Sequence, residues 1–104
     1  MCAQPTQEID LELFTFIERY VTNLARWDLL IFFGVHPSVR FSATSIARQV
    51  GRRERAVRKE LDDLVYLGIL KAHDNDDGTA YGLVRAPATR RAVIRLARNL
   101  SSNN

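Results

Sequence analysis

The sequence predicts a mainly α-helical domain carrying one small β-hairpin. Three observations lead there. Apolar residues recur at three- and four-residue steps through the first third of the chain. Two short amphipathic stretches follow, parted by little more than Gly51. Two β-prone runs then flank Asp77-Gly78, a dipeptide suited to a tight hairpin turn.

Each element has its own signal. From Glu8, the residues Ile9, Leu13, Phe16, Ile17, Tyr20, Val21 and Leu24 define one helix face, with acidic residues in the first turns where the helix dipole favours them. This predicts an N-terminal helix over 8–24. The pattern continues through Trp27, Leu30, Ile31 and Phe33, and Gly34 and Pro37 are expected to end it. Leu11 and Phe14 widen the apolar face beyond what one small core needs, as a partner helix would require, although ordinary core burial is the commoner reason for such residues. Val39-Arg40-Phe41 reads as a short extended segment. Ser42 is the N-cap of a helix through Val50, with Ile46, Ala47 and Val50 inward and Gly51 as its stop. A second helix runs from about Arg53 to Leu67 on a stripe of Val57, Leu61 and Leu64. Ile69–Ala72 and Thr79–Val84 read as strands, with His73–Gly78 as the turn region between them. Pro87 opens a last helix to Leu100, with Ala92, Val93, Leu96, Ala97 and Leu100 on its apolar side.

At 104 residues the chain is expected to form a single domain over 1–104, with flanking helices at 8–24 and 87–100 around a core at 25–84. The 46% hydrophobic fraction is that of a globular domain. A single cysteine excludes an internal disulfide and a multi-cysteine zinc site. No apolar run approaches the ~20 residues needed to span a bilayer, and Met1–Pro5 lacks the pattern of a secretory signal. The expected location is cytoplasmic, with no membrane partner.

Charge is unevenly spread. Residues 1–40 hold three arginines against five carboxylates, whereas 41–72 hold seven cations against four and 73–104 hold five against three. The densest run is Arg48 to Lys59, with six cations opposed by Glu54 alone. Such a cluster is the footprint of phosphate binding. It is also what a solvated helix face looks like, since Glu54–Arg58, Arg58–Asp62 and Lys59–Asp63 are all spaced i,i+4.

Helix, tight turn, helix and hairpin, with Ala47, Val50, Gly51, Val57, Leu61, Leu64, Gly68 and Leu70 at their spacing, resembles the winged helix-turn-helix transcriptional regulators, in particular the arsenic-repressor-like and MarR-like groups. The likeness covers Trp27 to Leu83. It implies that the helix from Arg53 enters the major groove of double-stranded DNA, and that the chain is a sequence-specific regulator and not an enzyme. Independently, at 100° per residue, Arg52, Arg55 and Lys59 point away from the Val57–Leu61–Leu64 stripe, with Arg58 on its flank. Arg55 and Lys59 are the expected groove-facing pair. Arg48, Arg52 and Arg53 are placed on the DNA backbone, and Ser42, Thr44 and Ser45 at the preceding helix start are further phosphate candidates. Terminal helices of similar regulators pair across a two-fold axis. This implies a homodimer through Leu13, Phe16, Ile17 and Tyr20 of the first helix and Val93, Leu96 and Leu100 of the last, residues that read equally well as packing onto their own domain.

The sequence departs from that pattern in three ways. Arg53 stands at the helix cap, and Ala56 and Arg58 replace small hydroxyl residues. The hairpin tip carries Asp74, Asp76 and Asp77, which repel phosphate, so Lys71 and Arg85 at the hairpin base are the better phosphate candidates. The acidic tip and the ion-paired helix support a second reading: a protein-interaction module or adaptor subunit that binds a protein partner and no DNA. No catalytic grouping, glycine-rich phosphate loop or cofactor motif occurs. Cys2, His36 and His73 lack metal-ligand spacing, and the loop from His73 fails as a calcium loop because its twelfth position is Val84.

Overall fold

A computed structural model describes residues 11–101, with side chains through Asn99. The elements are α1 (Leu11–Tyr20), α2 (Leu24–Val35), β1 (Phe41–Ser42), α3 (Ala43–Val50), α4 (Glu54–Tyr66), β2 (Leu70–Asn75), β3 (Gly78–Leu83) and α5 (Pro87–Ser101). This is a winged-helix architecture: mainly helical, with a small antiparallel sheet and helices on either side.

The first helix is shorter than its periodicity predicts. It ends at Tyr20, and Asn23 takes an extended conformation to cap α2, its side-chain oxygen accepting from the Arg26 backbone N–H at 2.8 Å. Asparagine competes with the helix for backbone partners, so a cap there is favoured over a continuous helix. Residues Glu8 to Asp10 lie outside the described residues.

Gly34 does not end a helix as expected. It lies inside α2, where α5 crosses so closely that a Cβ on Gly34 would sit 2.5 Å from both the Ala97 Cβ and the Val93 carbonyl oxygen. The helix ends at Val35, and the His36 N–H bonds to the Phe32 carbonyl at 3.1 Å.

Ser42 caps α3 as expected, accepting from the Ser45 N–H at 3.1 Å. Gly51 ends it in the left-handed region at φ 71°, which only glycine enters without a Cβ penalty. Only Arg52 and Arg53 separate Gly51 from α4, with Arg53 at its N-cap and no side-chain cap bond.

The sheet has three strands in the order β1-β3-β2. The hairpin expected from sequence is β2–β3, with Leu70 opposite Leu83 and Asn75 opposite Gly78. Its turn is tighter than the His73–Gly78 region expected, because the ladder continues to Asn75 and leaves Asp76 and Asp77 as the turn. β1 adds a third strand, pairing Phe41 with Tyr81. An aromatic contact holds β1 to α2: the Phe32 and Phe41 rings meet edge-on with centroids 4.7 Å apart.

One core unites these elements, with Leu29, Leu30, Phe33, Ile46, Val57, Leu61, Leu64, Ile69, Leu70, Val93 and Leu96 fully buried. Among the described residues no helix is long and apolar enough to cross a membrane.

Candidate nucleic-acid interface

The stripe of Val57, Leu61 and Leu64 seats α4 on the core and turns its opposite face to solvent. Arg55, Arg58 and Lys59 lie on that exposed face, together with Asp62. Arg48 at the end of α3 and Arg53 at the α4 cap are also exposed. None of Arg48, Arg53 and Arg55 makes an ion pair among the described residues, so their charges are uncompensated.

The other cations are partly committed. Arg58 binds Glu54 at 2.6 Å, and Lys59 binds Asp63 at 3.1 Å. The Arg58 guanidinium, aided by the Thr44 hydroxyl, holds the Glu54 carboxyl below its ordinary value. These are two of the three i,i+4 pairs expected. In the third, Asp62 instead accepts the Tyr81 hydroxyl at 3.3 Å, and burial followed by the Asp62 charge pushes the Tyr81 phenol up. Both pairs on α4 are exposed, and the Lys59 side chain retains 72% of its exposure, so neither costs much to open for a phosphate or base edge.

Four expected phosphate residues, Arg52, Ser42, Lys71 and Arg85, are engaged elsewhere or set apart from the α4 cluster. Arg52 is not free: its Nε binds the Asp28 carboxylate at 2.8 Å and ties the turn before α4 to α2. The Ser42 hydroxyl is spent on the α3 cap, and Ser45 supplies the N–H it accepts. Lys71 and Arg85 do not join the α4 cluster. They line a separate groove on the outer side of the hairpin, bounded also by Arg40 and Arg90.

Beneath α4 lies a buried polar hub that charge patterning did not reveal. Arg26 of α2 donates from Nε to Glu60 of α4 at 2.9 Å, from Nη2 to Asp63 at 3.3 Å and from Nη1 to the Tyr20 carbonyl at 3.3 Å. The Asn23 side-chain amide donates to the second Glu60 oxygen at 3.1 Å. Arg26 and Glu60 side chains are only 10% and 9% exposed. The hub joins the end of α1, the start of α2 and the middle of α4. The available sequence signal was Arg26 interrupting a helix whose only other charge is Asp28.

Most of the residues expected at a dimer interface lie in this chain's own core. Leu13, Phe16, Val93 and Leu96 are buried in this chain's own core, where α1 and α5 pack on the domain, so they present no face to a second chain. Ile17 and Tyr20 are half-buried against the same core. The Leu100 side chain lies outside the described residues. The exposed apolar face of α1 is formed by Leu11 and Phe14, 68% and 52% exposed, and Leu24 is exposed at the start of α2. Among the described residues no three His, Cys, Asp or Glu side chains group to hold a metal ion. Cys2 lies outside them.

No protein-family profile and no curated relative matches the sequence. Solved structures do match it in three dimensions. The transcriptional repressor BigR from Xylella fastidiosa superposes with a TM-score of 0.71 at 20% identity, over 88% of this chain and 86% of that one. The antimony-specific transcriptional repressor AntR gives 0.63 at 22% identity, over 99% and 98%. MepR of S. aureus in its DNA complex gives 0.62 at 15% identity, over 93% and 76%. With the helix–turn–helix, the hairpin and both flanking helices in place, this chain has the winged-helix fold of those repressors across nearly its whole described length.

Proposed function

We propose that this chain is a DNA-binding transcriptional regulator that seats α4 in the major groove of duplex DNA and is not an enzyme. The observation that carries the reading is the outer face of α4. It is a rigid helix held from below by the core stripe and the Arg26–Glu60 pair, and it presents Arg55, Arg58 and Lys59 to solvent. Arg55 and Lys59 are assigned to base edges and Arg48 and Arg53 to phosphates. The likeness to repressors, one solved in a DNA complex, supports this assignment. The exposed Leu11–Phe14 face supports a homodimer, which would place two α4 helices on successive half-sites. Function in the cytoplasm follows from this role.

A fluorescence-anisotropy titration of a labelled random-sequence duplex, run across a salt series, tests the reading. Binding is expected to weaken steeply, with a log–log slope of about −0.9 per neutralised phosphate. The Arg55→Glu/Lys59→Glu variant is expected to stay folded and lose duplex binding. If a folded chain shows no binding at low salt, the reading fails. The second reading, a protein-interaction module, then gains support from the exposed carboxylates of Asp74, Asp76 and Asp77 at the hairpin tip.

A further inference from the structure

A second positive surface among the described residues lies away from α4. It is a groove of about 790 Å³ between the α2–β1 connection, the outer face of the hairpin and the start of α5. Arg40, Lys71, Arg85 and Arg90 line it with His73, and no carboxylate is among its lining residues. Among the described residues none of the four cations makes an ion pair. Arg90 donates to the Ser38 hydroxyl at 3.1 Å. This contrasts with α4, where Arg58 and Lys59 both have acidic partners.

The strand register explains how the groove is built. Alternate residues of a strand face opposite sides. Leu70 and Tyr81 face the core, with Tyr81 reaching Asp62 of α4, so Lys71, His73 and Gly82 face away from α4. Gly82 leaves room for the Arg40 side chain to lie across the sheet: a Cβ at that position would meet Arg40 Cγ at 3.1 Å. Desolvation, then the charges of Arg40, Lys71 and Arg85, hold the His73 imidazole below its ordinary value.

We infer that this groove is a binding site for a small oxyanion bearing two or more negative charges, held by Arg40, Lys71, Arg85 and Arg90. Three arginines and a lysine lining one concavity suit phosphate or carboxylate oxygens, which arginine meets with paired hydrogen bonds. The volume is that of a small-molecule site. The sheet face that lines the groove turns away from α4, so a duplex seated on α4 as proposed above leaves the groove to a small occupant. The size of the occupant rests on that DNA reading, whereas the gathering of cations in the groove does not.

The test is a titration of the ¹⁵N-labelled full chain with inorganic pyrophosphate and, separately, citrate, each against sodium chloride of equal ionic strength. Shifts are expected at residues 38–40, 71–73, 82–85 and 90. Saturation by pyrophosphate alone marks a phosphate site, and saturation by citrate alone marks a carboxylate site. The exposed Lys71→Gln/Arg85→Gln variant, with its fold checked by circular dichroism, is expected to bind at least tenfold more weakly. Arg55→Gln/Lys59→Gln is expected to bind unchanged. The inference is overturned if the shifts match those of sodium chloride, if they map to α4, or if the groove variant binds as tightly as the parent. It is equally overturned if a short duplex displaces pyrophosphate from the groove, because the occupant is then the DNA backbone.

Discussion

Removing Arg26 tests whether the buried hub anchors α4. In Arg26→Met the Glu60 carboxylate stays 9% exposed and loses its 2.9 Å partner. What remains is the Asn23 amide at 3.1 Å and the Lys59 ammonium at 3.9 Å. Breaking a buried pair by removing one partner costs about 3–5 kcal/mol, because the other charge is left without compensation. Asp63 contributes little to that cost, since it is 43% exposed and keeps Lys59 at 3.1 Å. The double variant Arg26→Met/Glu60→Leu removes both charges and fills the space with apolar atoms, so it is expected to lie within about 1 kcal/mol of the parent or above it. Urea unfolding followed by Trp27 fluorescence and circular dichroism reads both. With a denaturant slope of about 2 kcal/mol/M, the single variant shifts the midpoint down by about 2 M, a large share of the stability of a domain this size. Two results refute the reasoning. One is a single-variant loss under about 1 kcal/mol. The other is a double variant as unstable as the single, which would show that α4 is held by specific geometry and not by charge balance.

Three further outcomes follow from the same packing. Gly34→Ala gains about 1 kcal/mol of helix propensity but drives a methyl into Ala97 and the Val93 carbonyl, so the net change is a loss of about 1–2 kcal/mol, read as a lower melting temperature. Adding Ala97→Gly restores only part of that loss, because the backbone carbonyl stays 2.5 Å from the new methyl. Gly51→Ala meets no atom within 4 Å, so its cost of about 1–2 kcal/mol is backbone strain alone, and Gly51→Asn costs less, as comparison of the two melts will show. His73 titrates below its ordinary 6.5, and ¹H–¹³C NMR should show Lys71→Gln or Arg40→Gln raising it. Because the folded value is depressed, the stability linked to His73 is present above pH 6.5 and is lost as pH falls through the folded value.

The local signals in the chain specify each helix, the Ser42 cap, the left-handed Gly51 and the β2–β3 hairpin. These are short-range effects of backbone preference, capping and periodicity, and they act within a few residues. The outward aspect of Arg55 and Lys59 was legible for the same reason, because helical periodicity alone sets it against the Val57–Leu61–Leu64 stripe. The break at Asn23 was harder to see, since an apolar period runs straight through a residue that caps better than it propagates. Gly34 looked like a stop until α5 arrived from sixty residues away to use the missing Cβ. The same distance explains Leu13, Phe16, Val93 and Leu96, whose apolar faces read equally well as a partner surface or as core. Only the packing of α5 onto α2 and of α1 onto α5 assigned them to the core and left Leu11 and Phe14 outside. Arg26 with Glu60, and Arg40 with Lys71, Arg85 and Arg90, are separated in sequence by thirty or more residues at their widest. Charge patterning within one element cannot pair them, because the energy that joins or gathers such groups depends on burial and distance. Those are properties of the folded chain, decided where α2 crosses α4 and where the hairpin turns its second face to solvent.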